Sequence, residues 1–145
     1  MILLFDFGGV LVDLDKARCI DSFARLGFDI RPYLGTYRQQ GPFSLLERGE
    51  IDVPQFCSEL RRLGCRPGTT DSEIVRAWED YLTEVPAERL DMLLKIRRHY
   101  PVSCLSNTNC IHWGQAERDF FNYRGRQVGD FFDHVFLSYE CHLEK

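Results

Sequence analysis

The feature that most constrains this sequence is the apolar run Ile2-Leu3-Leu4-Phe5, which stops at Asp6 and passes at once into Phe7-Gly8-Gly9. A continuous apolar run of this kind reads as a strand buried on both faces, with the carboxylate delivered at its carboxyl end. In an open α/β sheet that end is where ligands bind. Asp6 is therefore the first candidate for chemistry, and the two glycines let the backbone leave the strand through unusual dihedrals and let a ligand come close to the main chain. The pattern alone equally describes a strand and an ordinary Gly-Gly turn in which Asp6 is a turn former.

After Asp15 the periodicity becomes helical. Ala17, Ile20, Phe23, Ala24 and Gly27 recur at three- and four-residue intervals and predict an amphipathic helix that Gly27 ends. Residues 28–42 read as an irregular connection or a short helix, and residues 43–48 as a brief helix closed by Gly49. Asp52 with Pro54 opens the next helix, with Phe56, Leu60 and Leu63 on one stripe and Gly64 as its stop. Thr70 and Glu73 form a capping-box pattern before a helix carrying Ile74, Ala77, Trp78, Tyr81 and Leu82. Pro86 starts a further helix with Leu90, Leu93 and Leu94, which Pro101 ends. Residues 102–105 form the next short apolar strand, with Ser106 at its end as Asp6 is at the end of the first. Residues 111–123 predict a helix whose Trp113, Phe120 and Phe121 pack on the sheet or line a pocket, and residues 131–137 supply a third strand.

Composition excludes several classes. The balance of 18 Lys+Arg against 22 Asp+Glu gives a net charge of −4 without a concentrated basic face, which argues against nucleic acid as a partner. No apolar run approaches the span of a bilayer. The N-terminal run is too short, and lacks the leading positive charges, for a signal peptide. Cys19, Cys57, Cys65, Cys104, Cys110 and Cys141 are irregularly spaced, which reads as reduced cytoplasmic thiols rather than a disulfide framework. No cysteine or histidine pair has the spacing of a structural zinc site.

Phe5-Asp6-Phe7-Gly8-Gly9-Val10-Leu11 resembles the first motif of the haloacid dehalogenase (HAD) superfamily, an apolar strand ending in Asp-x-Asp-x-Thr/Val. Leu105-Ser106-Asn107-Thr108-Asn109 resembles the second motif, and the stretch from Leu137 to Lys145 resembles the approach to the third-motif lysine. The similarity is greatest to the small sugar-phosphate phosphatases whose first motif reads Asp-x-Gly-x-Val. The resemblance implies an α/β fold, a Rossmann-like parallel sheet formed by residues 1–14 and 86–145, with residues 15–85 inserted as an all-helical cap. It also implies further chain after Lys145, carrying a helix, an acidic fourth motif and strands on the far side of the first. This leads to the expectation that these 145 residues are the N-terminal part of a longer phosphatase, self-associated and silent when alone, with Lys145 prone to fraying.

The chemistry implied is phosphoryl transfer to Asp6 as nucleophile. Mg²⁺ would be held by Asp6 and the Gly8 backbone carbonyl, Ser106 and Asn107 would hold the phosphoryl oxygens, and Lys145 would add positive charge. The partner is then a small phosphorylated metabolite, with a sugar phosphate favoured. One departure matters: most of the family carries an aspartate where this chain has Gly8. A general acid contributes about 10²–10⁴-fold, so its absence favours leaving groups that need little help, such as an anomeric phosphate. Asp13 and Asp15 are expected to cap the following turn and helix. Two other functions fit the pattern. A 2-haloacid dehalogenase needs neither acid nor metal, though Gly8 replaces the aromatic residue of that branch; an inactive phosphate-binding fragment needs no turnover at all.

Overall fold

Three short parallel strands organise the molecule, a computed structural model that describes residues 1–36 and 38–145. They are β1 (Leu3–Phe5), β2 (Val102–Ser106) and β3 (His134–Leu137), in the spatial order β1-β2-β3. Phe5 lies opposite Cys104, and Ser106 opposite Leu137, so Asp6 and Ser106 both emerge at the carboxyl edge. β2 is central and its residues are almost wholly buried. β1 departs from the expectation of burial on both faces: Ile2 is 66% and Leu4 57% exposed. Among the described residues β1 has only β2 beside it, so Leu3 and Phe5 face the interior while the alternate positions face outward. The third strand is also shorter than residues 131–137. Phe131 ends a helical turn, α7 (Val128–Phe131), that the Asp130 carboxylate caps by accepting from the Gln127 N–H. Asp133 then exchanges hydrogen bonds with the head of β2, its N–H donating to the Val102 carbonyl (2.7 Å) and its carboxylate accepting from the Val102 N–H (2.8 Å).

Between β1 and β2 the chain is helical. α1 (Lys16–Arg25) is capped by Asp15, whose carboxylate accepts from the Arg18 N–H. A single 3₁₀ turn (Arg31–Tyr33) leads to α2 (Gly41–Glu47). α3 (Val53–Leu63) and α4 (Asp71–Glu79) both start with reciprocal capping boxes, Asp52 with Gln55 and Thr70 with Glu73. α5 (Ala87–Arg97) follows Pro86. The buried stripes differ in detail from the periodicity. In α1 they are Cys19 and Phe23 while Ala17 and Ala24 face solvent, and in α3 Cys57 takes the place of Leu63. The larger Phe23 covers the interior better than its neighbour Ala24 does, and Leu63 is the last residue of its helix. Tyr81 and Leu82 lie past the end of α4 rather than on it.

Two apolar cores result. One surrounds the sheet with Phe7, Leu11, Val12, Leu90, Leu93, Phe121 and Phe131. The other lies among α1 to α4, where Phe43 packs edge-on to Phe56 (5.0 Å) and Trp78 (4.8 Å). The two chain crossings between these cores pair with each other. Asp13 N–H donates to the Glu84 carbonyl, Thr83 N–H to the Asp13 carbonyl, and Asp15 N–H to the Tyr81 carbonyl. Asp13 does not cap a turn, as expected from sequence, because its carboxylate is taken by Arg89 at 2.7 Å. After β2, Asn109 caps α6 (Cys110–Gln115), which widens into a π-helical turn (Ala116–Phe120). Trp113 and Phe121 pack on Phe7 at 5.3 and 6.0 Å, which makes them core residues. The last helical turn, α8 (Ser138–Cys141), leads to Lys145.

Candidate active site

At the carboxyl edge of the sheet Asp6, Asn107 and Lys145 meet. Lys145 Nζ lies 2.6 Å from Asp6 Oδ2 and donates to the Leu105 carbonyl at 3.2 Å, while the Lys145 backbone N–H donates to Asn107 Oδ1 at 3.0 Å. The lysine expected to fray is thus tied at two points to the end of β2 and at a third to Asp6, just past β1. Asp6 Oδ1 accepts from the N–H of Phe7 at 2.8 Å, a bond that becomes possible as the chain turns out of β1. Ser106 is buried, and its hydroxyl makes a long contact of 3.4 Å to the adjacent Asn107 carbonyl. That bond is weak, so the hydroxyl is free to turn toward a ligand. Gly8 lies on the same wall, and a Cβ there would meet nothing within 4 Å. The site residues singled out in the sequence therefore all line one cavity of about 410 Å³.

The opposite wall of that cavity was not legible in the sequence. It is built from Thr36, Gln39, Glu47, Trp78, Tyr81 and His112. Glu47 ends α2 and is buried, and that burial, reinforced by the neighbouring Glu144 carboxylate, pushes its carboxyl up to about 7 against a bond from the Gln39 backbone. Ser138 fixes the end of α2 to the loop after β2: its hydroxyl donates to the Glu47 carbonyl at 2.7 Å and accepts from the Thr108 N–H at 3.0 Å. Trp78 and Tyr81 stack at 5.2 Å, and His112 lies against Trp78 at 4.3 Å.

His112 is neutral and single in its tautomer. Nε2 faces the Trp78 carbonyl at 2.8 Å, an acceptor only, so Nε2 carries the proton and Nδ1 accepts from the Asn109 amide at 3.3 Å. Burial lowers its pKa from 6.5 to about 4, with the bond to Trp78 opposing. The stability consequences of His112 and Glu47 have opposite signs. As pH falls from 6.5 toward 4 the unfolded imidazole takes a proton that the native one refuses, so His112 destabilises the fold in acid. As pH rises from 4.5 toward 7 the unfolded Glu47 loses a proton that the native carboxyl keeps, so Glu47 destabilises the fold toward neutrality. Urea midpoints measured from pH 4.5 to 7 are expected to show this as a difference between variants. Relative to wild type, His112→Gln loses a component that rises with pH and Glu47→Gln loses one that falls. Identical pH slopes in all three proteins would contradict the assignment.

The donor set of the first wall suits a hard cation. Asp6 would supply one carboxylate and Gly8 a carbonyl, and Mg²⁺ is commonly bound by one or two carboxylates together with waters and substrate phosphate oxygens. Among the described residues no cluster of three or more His, Cys, Asp or Glu side chains forms an all-protein metal cage. Burial and then the nearby Asp6 push the thiol of Cys104, next to Leu105 on β2, up to about 12, so it is protonated at neutral pH.

Comparison with known proteins shows that the chain belongs to the HAD family of hydrolases. By sequence it is 36% identical over 139 residues to a D-ribitol-5-phosphate phosphatase of Bacteroides thetaiotaomicron, a match that spans 95% of this chain and 67% of the relative. By structure it is similar to a HAD family enzyme of the same organism solved with magnesium and inorganic phosphate, with a TM-score of 0.91 and 38% identity over 99% of this chain and 71% of that one. A HAD-like hydrolase of Porphyromonas gingivalis gives a TM-score of 0.88 at 32% identity, covering 99% of this chain and 69% of that one. No family model matches the chain.

Proposed function

We propose that the protein is a Mg²⁺-dependent phosphatase of small phosphorylated polyols or sugars, in which Asp6 is the nucleophile. The observation that carries this reading is the pairing of Asp6 with Lys145 at the floor of a cavity that also presents Ser106 and Asn107. A carboxylate oxygen of Asp6 attacks phosphorus, the ester P–O bond breaks, and the departing oxygen takes a proton from water. Water then attacks the phosphoryl group on Asp6 and releases phosphate with the carboxylate restored. Lys145 balances charge on the phosphoryl oxygens, and the Ser106 hydroxyl with the Asn107 amide orients them. Asp6 and the Gly8 carbonyl would hold Mg²⁺, which when bound would supply further positive charge to reduce repulsion between nucleophile and phosphate.

Gly8 has no side chain to protonate the leaving group, which on chemical grounds favours labile esters. The relative is named for ribitol 5-phosphate, an ester of an ordinary primary alcohol. Pentitol phosphates are therefore the first substrates to try, ahead of anomeric ones. The helices of residues 15–85 act as the cap that supplies the second cavity wall, and the six unpaired cysteines support a cytoplasmic location. No helix among the described residues is long and apolar enough to cross a membrane.

Phosphate release from a pentitol 5-phosphate should be observed with Mg²⁺, fall by about 100-fold or more with excess EDTA, and return when Mg²⁺ is restored. The reading fails if no phosphate ester is hydrolysed, or if chelation leaves the rate unchanged.

A further inference from the structure

The cavity has two chemically different ends. Its only ammonium or guanidinium group among the described lining residues is Lys145, already opposed to Asp6, and His112 is neutral. The phosphoryl group of a substrate belongs there. At the other end stand Glu47, Gln39 and Tyr81 beside the Trp78 ring. These side chains line the cavity together, and the Glu47 carboxyl has beside it the Glu144 carboxylate, which is itself paired with Arg38 at 3.5 Å. A carboxyl in that setting offers acceptor oxygens, and when protonated a donor as well. This matches a hydroxyl group, which both donates and accepts. A second anionic group on the substrate would meet no further Lys or Arg among the described lining residues and would face Glu47. An alkyl chain would leave the Glu47 carboxyl desolvated without a partner.

We propose that Glu47, supported by Gln39 and Tyr81, binds hydroxyl groups of an uncharged polyol tail and is the residue that selects such substrates from other phosphate monoesters. The inference rests on the phosphatase reading and names the specificity determinant within it. Glu47 touches the substrate tail rather than the reacting phosphorus, so its replacement acts on discrimination.

The test compares kcat/KM for a pentitol 5-phosphate with that for n-pentyl phosphate, which has the same chain length and no hydroxyls, in wild type, Glu47→Gln and Glu47→Leu. Wild type should prefer the polyol by at least about 100-fold, since a site that hydrogen-bonds a hydroxyl rejects the analogue lacking it. Glu47→Leu should reduce that preference by about 10- to 100-fold, the effect expected on losing a hydrogen bond to a charged or buried partner. Glu47→Gln, which keeps an acceptor and a donor, should restore most of it. A purely structural role would lower both rates together and leave the ratio intact. If the ratio stays within twofold of wild type in Glu47→Leu, or if wild type shows no preference, the inference is overturned while the phosphatase reading stands. If wild type hydrolyses neither ester, both fall.

Discussion

Asp6→Asn is expected to lower turnover by about 10⁴-fold or more while leaving the fold intact, in keeping with the loss of a covalent nucleophile elsewhere. The amide has the shape of the carboxylate and still offers an oxygen to the Phe7 N–H, so the turn out of β1 is preserved. It cannot form the covalent intermediate. Lys145 loses its partner at 2.6 Å, but its side chain is 37% exposed and also bonded to the Leu105 carbonyl, so the released ammonium is accommodated by solvent. The measurements are the single-turnover and steady-state rates of phosphate release at saturating Mg²⁺, with circular dichroism as the control for folding. A mutant that keeps more than a hundredth of the wild-type rate would remove Asp6 from the role of nucleophile.

The half of the site that was legible in the sequence is the half built by strand ends. Asp6 follows an apolar run directly and Ser106 follows another, and parallel strands bring their carboxyl ends to one edge whatever the intervening chain does. Helix starts were legible for a similar reason: Asp15, Asp52 and Thr70 cap α1, α3 and α4 through bonds to residues only three positions away. Information of this kind is local, and the chain states it locally.

The cap wall is different. Glu47 reads as one more charged residue in the Leu-Leu-Glu-Arg stretch, and only the packing of α2 against the loop after β2, fixed by Ser138 ninety-one positions away, turns it inward. Tyr81 reads as part of the α4 stripe because its spacing from Trp78 is helical, yet the helix stops at Glu79 and the pairing of the two crossings carries Tyr81 to the cavity. His112 and Trp78 meet only through the tertiary contact between α4 and α6. The exposure of Ile2 and Leu4 has the same origin, because the strands expected on the far side of β1 are not among the described residues and β2 alone lies beside it. Four apolar residues in a row describe affinity for a core, whereas burial also depends on which strands lie alongside.

Phe43→Ala should be the most destabilising single substitution in the helical segment, at about 3–5 kcal/mol, the range for removing a buried phenyl ring. Phe43 is 0% exposed, and its ring meets five other aromatic side chains: Phe23, Phe28, Tyr33, Phe56 and Trp78. These come from α1, the following loop and 3₁₀ turn, α3 and α4, so the cavity left behind is walled by separate elements that cannot all close on it. Against a total stability of about 5–15 kcal/mol for a domain, the loss is a large share. The effect also reaches the site, because Glu47 lies one helical turn beyond Phe43 on α2 and depends on that helix for its place at the cavity. Urea unfolding should therefore show a lowered midpoint, and KM for the pentitol phosphate should rise more than KM for n-pentyl phosphate at a temperature where the variant remains folded. A destabilisation below about 1 kcal/mol would mean that the surrounding rings repack without loss, which the close density of protein interiors argues against.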